Sequence, residues 1–581
     1  MTTSAPPDWP HCGDGAGPGS DLVGCTGRKV EPYTNCLAHL SAGDRAAYLS
    51  GLEPGFSVDH RGTLLSAELL DGILAQLKDP DTNQARLGEA RFDRARFTDN
   101  VRFIDVHIDG NATFTGATFH DDASFVNIQV EGDALFNGST VRHATFNRAE
   151  ISGDLRFDGA PVEWADFQSV KIGGALELCD THFTFGVNFN DVHIGGNANL
   201  EALSAQWVSF TDTVFDRTSH LGPLLCTSHF SLLKTEFKHA VIIEAATPSL
   251  TCQGVHWSAT AALRLRYAAV DMSDAFLEYP VSVAFNSRPF YLYGIGDDLE
   301  EPEMGSDSVR MLSLRGVDAA HLTLTDIDLT ECLFAGTIHL DQLRLEGAYP
   351  MLPVPSGLRW HGWLPIHWTS RRTLAEEHHW RAGRSTASDG WAAAPVNSEV
   401  LKPIALAPVY RQLRKAFEDA KHEPGAADFY YGEMEMRRHA DDIPGAERAL
   451  LTAYWLLSGY GLRAARAIGW LIAAMLTTIT LMMGFGLPNE APRQEIVREK
   501  VDGEWTTIID KPDPKNPTGD RFNKERFEEA LNVTLNSVVF RSSGEDLTKA
   551  GGYIEMASRF LEPVLLGFAA LAIRGRVKRG S

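Results

Sequence analysis

Cys12, Cys25, Cys36 and His39 are the residues whose types and spacing best suit metal chemistry. Thiolate sulfur and imidazole nitrogen can converge on one tetrahedral zinc ion, and Cys36-Leu-Ala-His39 has the form of a half-site. Cys12 and Cys25 stand thirteen positions apart, wider than a tight knuckle. Two readings stay open: a structural zinc held by all four, or small thiols buried in an N-terminal cap. A second group, Glu376-Glu377-His378-His379, lies near His361 and His367. Its order is not the His-Glu-x-x-His of a helix-borne zinc hydrolase, and a plug rich in Trp360, Trp363, Trp368 and Trp380 is the better reading. Gly294-Ile-Gly296 lacks the third glycine and following helix of a dinucleotide fingerprint. The run Asp297-Asp298-Leu-Glu300-Glu301-Pro-Glu303 reads as a solvated loop. No phosphate-cradling loop or nucleophile elbow is visible, so the expectation is a protein that is not an enzyme.

Polar residues in an unusual setting mark the far end. Ala467 to Leu487 holds twenty-one consecutive uncharged residues, enough to cross a hydrocarbon core of about 30 Å. Ile554 to Ile573 is a second candidate span, but Glu555, Arg559 and Glu562 interrupt it. At helical spacing these three fall within about 60° of one another and form one stripe. The stripe faces a partner helix or an aqueous cavity, or else Glu555 and Arg559 are interfacial and pair within the helix. Arg463 and Arg466 precede the first span, and Arg574, Arg576, Lys578 and Arg579 follow the second. Basic flanks stay in the cytoplasm, so both termini are expected there, with the segment between the spans outside. Tyr454, Trp455, Tyr460 and Trp470 supply interfacial aromatics. Phe527 to Phe540 is an amphipathic stretch ending before Arg541, Ser542, Ser543 and Gly544. Span, short helix, small-residue loop and span is the layout of a pore-loop channel, with Ser542, Ser543 and Gly544 nearest the filter position. The Thr-Val-Gly-Tyr-Gly potassium filter is missing.

The elements that position these groups come from the long middle of the chain. From Leu87 to Leu200 a large apolar residue returns every five or six positions, as in Phe92, Phe97, Phe103, Ile108, Phe114 and Phe119. Neither a helix nor an alternating strand has that period. A small residue often stands two places earlier, among them Ala85, Ala90, Ala95, Ala112, Ala123 and Ala144. The pair suits a chain that turns a corner every five residues. Six-residue steps carry an added glycine at Gly110, Gly132, Gly153, Gly174 and Gly196, expected to adopt positive φ at a bulged corner. The rhythm continues through Phe210, Phe237 and Trp257 and again from Leu324 to Leu345.

Ala90-Arg-Phe-Asp-Arg, Ala95-Arg-Phe-Thr-Asp, Ala112-Thr-Phe-Thr-Gly and Ala144-Thr-Phe-Asn-Arg resemble the pentapeptide repeat. That resemblance implies a right-handed quadrilateral β-helix, four five-residue sides to a coil. The phrases Tyr410-Arg-Gln-Leu-Arg-Lys, Asp428-Phe-Tyr-Tyr-Gly-Glu and Ser458-Gly-Tyr-Gly461 are similar to those of actinobacterial pentapeptide-repeat proteins that end in a two-helix membrane domain.

The expected fold class is therefore mainly β: a solenoid with a C-terminal α-helical hairpin and two transmembrane helices. Residues 1–80 form an N-terminal cap, with helices after Ser41 and Ser66; 81–346 the β-helix, with an insertion near 279–307; and 347–402 the irregular plug. Residues 403–450 form the amphipathic hairpin and 451–581 the membrane domain. A net charge of −23 argues against a nucleic-acid partner. Seven cysteines without a regular framework suggest a reducing compartment. Met1 to Asp21 shows no secretory signal, and the expected location is the cell membrane, multi-pass. The leading functional reading is a membrane-anchored scaffold whose cytosolic acidic β-helix binds a protein partner, with membrane lipid around the spans. The alternative is a homo-oligomeric two-span channel gated by the solenoid. DNA mimicry against a topoisomerase ranks below both.

Overall fold

The computed structural model describes residues 6–17, 22–302, 304–356, 358–361, 364–367, 370–384, 390–396, 398–488, 495–501, 504–510, 514–516, 518–539, 541, 542, 544 and 546–577. At 358–361, 364–367, 495–501, 504–510 and 575–577 the description is of backbone alone. The chain divides into two compact units, Met1–Val400 and Leu401–Ser581.

The five-to-six residue rhythm produces a β-solenoid of about twelve turns. Short strands pair in parallel with their counterparts one coil away. The register steps by 22, 21, 21 and 22 residues along Ala112, Ala134, Leu155, Leu176 and Ala198, and by 20 along Val241, Ala261 and Val281. Because every coil repeats the same corner, like side chains stack inside. Phe114, Phe136 and Phe157 stack face to face at 4.8 and 4.7 Å. Phe125, Phe146, Phe167, Phe189 and Phe210 form a second stack at 4.6–4.9 Å. These rings are fully buried, so aromatic columns run through a close-packed apolar interior that also holds Ile108, Val130, Ile151 and Ile172. The small inward residues, Ala90, Ala112 and Ala144 among them, are buried with them.

Several boundaries differ from expectation. The solenoid starts inside the stretch assigned to the cap: Phe56–Asp59 pairs with Ala85–Arg91, and Leu64–Leu65 with Arg96–Phe97. Helix α1, Ala42–Ser50, opens on Ser41, whose Oγ accepts from Asp44 N–H at 3.2 Å. Helix α2, Ala67–Gln76, opens on Ser66, and both caps satisfy first-turn donors. The insertion starts late, because Val281–Phe285 still pairs with Ala261–Leu265. It is a small antiparallel hairpin, Tyr291–Leu292 with Asp297–Asp298. Its acidic run is not all solvated: Glu301 accepts from Arg266 Nε and Tyr267 Oη, each at 2.8 Å.

The glycine corners are a correction. Gly110, Gly132, Gly153, Gly174 and Gly196 do not have positive φ. They stack on one another, each N–H donating to the glycine carbonyl one coil earlier at 2.8–3.1 Å. A Cβ on Gly153 would lie 2.7 Å from the Gly132 carbonyl oxygen. Close approach of two backbones, not left-handed geometry, excludes a side chain. Positive φ belongs instead to other corners, occupied by Asp105, Asn127, Arg148, Ser169 and Asp191 in one row and by Arg94, Gly116, Gly138, Gly159 and Asp180 in another.

At the other end, helix α3, Ala375–Ala382, closes the solenoid. Buried acids and a tryptophan both take part in this plug, since the Trp391 ring packs edge-on against His378 at 4.6 Å. Glu376 Oε1 accepts from the N–H groups of Phe334 and Ala335 at 2.6 and 3.0 Å. Buried Glu377 is held by Arg371 and Arg381 at 2.6 and 2.7 Å. Trp363 and Trp368 lie outside the described residues.

In the second unit, α4, Pro403–Asp419, and α5, Glu423–His439, form the expected hairpin. Tyr410 and Phe417 pack on Phe429, and Gly432 leaves room for the Tyr410 ring. Helix α6, Gly445–Ser458, ends at Gly459 with φ 55°, a left-handed C-terminal stop. Helix α7, Ala464–Leu481, continues into a π-helical turn, Met482–Gly486. A two-stranded hairpin, Glu495–Val501 with Glu504–Asp510, follows. Helix α8, Lys524–Val538, and helix α9, Lys549–Val577, complete the unit.

Candidate functional site

Backbone pairing brings the four N-terminal ligand candidates together. Residues 12–14 run against 25–27: Cys12 N–H donates to Gly27 O, Gly13 N–H to Cys25 O, and Cys25 N–H to Asp14 O, each at 2.8 Å. This ladder cancels the thirteen-residue spacing and sets Cys12 beside Cys25. Cys36 caps the short helix Leu37–His39, which turns the imidazole back onto the thiols. Cys12 Sγ and Cys36 Sγ each lie 3.5 Å from His39 Nδ1, and Cys25 Sγ lies 3.8 Å from Cys36 Sγ. One ligand atom from each residue falls within 4.8 Å of the others. Burial raises the Cys25 thiol and pushes Cys36 up to about 12, with the neighbouring sulfurs adding repulsion. Three thiolates crowded together need a cation to ionise them.

Among the described residues, the other histidine-acid group does not gather a metal site. Glu376 is committed to backbone donors, Glu377 to two arginines, and His378 Nε2 to Thr373 Oγ1 at 2.8 Å. A cluster that sequence reading missed is Asp158, Glu177 and Cys179. Its signal was the 21-residue separation of Asp158 and Cys179, one coil. Asp158 already accepts from Cys179 N–H and from Asn137 Nδ2, at 3.1 and 2.9 Å.

Within the second unit, the C-terminal end of α7 meets the N-terminal end of α9. Thr548 Oγ1 donates to Phe485 O at 2.6 Å, and Thr548 N–H to Gly486 O at 3.0 Å. The helices are therefore antiparallel. Glu562 is buried and accepts from Thr478 Oγ1 at 2.8 Å, so this member of the polar stripe faces the partner helix. Glu555 and Arg559 are half-buried. Helix α8 packs Ala530 and Val533 against Ile479, Met482, Met483 and Leu487. Arg526 ties it to the end of the first span by donating to the carbonyls of Met483 and Leu487 at 2.8 Å and of Pro488 at 3.0 Å. Ser558 Oγ of α9 donates to Ser537 Oγ of α8 at 3.0 Å. Ser542 and Gly544 are exposed between α8 and α9, and Ser543 lies outside the described residues.

The outward surface of the solenoid is acidic but cross-linked. Residues 81–346 carry 38 Asp and Glu against 18 Lys and Arg, so nearly all of the net charge of −23 resides there. Pairs one coil apart relieve part of it, such as His143–Asp122 at 2.8 Å, Lys171–Glu150 at 2.7 Å and Arg264–Glu244 at 2.9 Å.

The sequence model of the family described as pentapeptide repeats (9 copies) matches residues 83–129 and 114–161. The solenoid is built from pentapeptide repeats. That fold is typically structural or binding. Two helical segments, Ala464–Gly486 and Lys549–Arg574, are long and apolar enough to cross a membrane. No curated protein and no solved structure matches the chain.

Proposed function

We propose that the chain is a membrane-anchored binding protein whose pentapeptide-repeat solenoid offers an acidic surface to a protein partner. The observation that carries this reading is the outward face of the two long helices. Trp470, Ile472 and Leu476 of α7, and Phe560, Leu561 and Leu571 of α9, are exposed although the helices pack together, Phe560 by 77%. A soluble unit does not leave such a continuous apolar face in water, whereas acyl chains would cover it. Arg463 and Arg466 before the first span, with Arg574 and Arg576 after the second, favour an orientation with both termini in the cytoplasm. The charge of residues 81–346 repels nucleic acid and attracts a basic protein surface. The role is non-enzymatic. Deleting 451–581 is expected to move the protein from a carbonate-resistant membrane fraction to the soluble fraction; a deletion variant still embedded in membrane overturns the anchor.

A second reading is an oligomeric channel. It is favoured by α8, which packs against both spans and is followed by the segment holding Ser542 and Gly544. A pore between two-span subunits requires several copies, so the chain would be a homo-oligomer. Reconstitution into vesicles with a flux dye separates the readings: ion flux that Glu562→Leu or Gly544→Val alters supports the channel, and an ion-tight vesicle supports the anchor alone.

A further inference from the structure

We propose that Cys12, Cys25, Cys36 and His39 bind one zinc ion, in a closed structural site that clips the N-terminal hairpin to the first turn of the cap. Zn–S distances near 2.3 Å and Zn–N near 2.0–2.1 Å at tetrahedral angles place sulfurs about 3.8 Å apart and sulfur about 3.5 Å from nitrogen. The protein has these edges: 3.8 Å from Cys25 Sγ to Cys36 Sγ, and 3.5 Å from His39 Nδ1 to Cys12 Sγ and to Cys36 Sγ. Three of the six edges of a tetrahedron are thus at metal-site length, and the remaining three are no longer than 4.8 Å.

The surroundings match a metal thiolate as well. Gly27 N–H points at Cys25 Sγ at 3.4 Å. Such a donor stabilises sulfur that carries negative charge. Gly27 is required for this fold-back, since a Cβ there would sit 2.9 Å from Cys36 Sγ. His39 turns Nδ1 to the sulfurs and Nε2 to the Asp14 carboxylate, 3.7 Å away, the orientation of a ligating histidine steadied by an acid. All four positions are filled by protein, which leaves no open site for catalysis and selects a structural role. Three thiolates and an imidazole select a borderline-soft d¹⁰ ion over calcium or magnesium. Binding releases the three thiol protons to solvent, and histidine enters neutral.

The test uses the full-length chain in detergent, with metal content measured by plasma mass spectrometry. One zinc per chain is expected, falling to none in Cys25→Ser and in His39→Ala, and retained in Cys179→Ser. Cobalt(II) added to chelator-stripped protein should give the visible bands of a tetrahedral thiolate site, and His39→Cys should restore binding with stronger thiolate absorption. Should the serine variants fail to fold, alkylation of wild type decides: Cys12 and Cys25 are expected to resist iodoacetamide until a chelator is added. Wild type without stoichiometric zinc, zinc that persists in all the ligand variants, alkylation indifferent to chelator, or a Cys25–Cys36 disulfide each overturns the site.

Discussion

Thr478 Oγ1 donates a 2.8 Å hydrogen bond to Glu562 Oε1 between the two apolar helices. Glu562 is fully buried and its Oε2 has no partner among the described residues. Removing the donor leaves a buried carboxyl without compensation, a cost of about 1–3 kcal/mol. Thr478→Val is therefore expected to lower the thermal midpoint in detergent, while Glu562→Gln, which keeps an acceptor, stays near wild type. A double-mutant cycle with Glu562→Leu checks the pairing: additive effects would show that the two groups do not interact.

Glu376 does at the solenoid's end what the next coil would otherwise do. Its carboxylate satisfies Phe334 N–H and Ala335 N–H, edge donors that would be open to another strand. Glu376→Ala is expected to cost about 2–3 kcal/mol and to speed amide exchange at Phe334 and Ala335, whereas Glu376→Gln preserves protection. Unchanged exchange in the alanine variant would mean that another group closes the edge.

The two kinds of glycine corner are expected to respond differently to an added side chain. Gly153→Ala forces a Cβ against the Gly132 carbonyl and the Asp133 side chain, with backbone on one side that cannot move alone. Gly138 has nothing within 4 Å of its Cβ position, and φ of +61° is its whole difficulty. The left-handed cost is about 1–2 kcal/mol, and Arg94, Asp180 and Ala202 already accept it at the same corner. Gly153→Ala is expected to destabilise by about 3 kcal/mol and Gly138→Asn by much less, read from hydrogen exchange of the adjoining coils. Equal effects would remove the stacking argument.

Phe114, Phe136 and Ala144 were legible because inward positions in a solenoid are dictated by the local chain alone. The glycine corners were legible as positions but not as causes, since Gly153 is constrained by a residue 21 places earlier. Glu376 left no local signal, because its partners lie 41 and 42 residues away. For Cys12 and Cys25 the residue types were readable and the convergence was not. Hydrogen bonds between residues 12–14 and 25–27 create it. For the second span the polar stripe was readable but the partner of Glu562 was not, because Thr478 lies 84 residues earlier.

His60 is expected to make the first coil sensitive to acid. It is fully buried, takes the place of a ring at the head of the aromatic column beside Phe92 and Tyr48, and its Nδ1 has no partner among the described residues. Burial lowers it from 6.5 to about 4. The unfolded chain therefore binds a proton that the folded chain refuses between those values. The sign follows: stability is fully present above 6.5 and is lost as pH falls from 6.5 towards about 4, by roughly 3 kcal/mol for a 2.5-unit depression. His378, also lowered to about 4 by burial, adds a second loss in the same window at the opposite end of the solenoid. His60→Phe is expected to continue the column and to flatten the pH dependence of opening measured by hydrogen exchange at the amides of His60 and Gly62, which donate to Arg91 and Asp93. Amides near Thr373, which shares a hydrogen bond with His378, should keep their acid dependence in that variant. An imidazole resonance of His60 that titrates near 6.5 in the folded protein would show that water reaches the ring and would remove the argument.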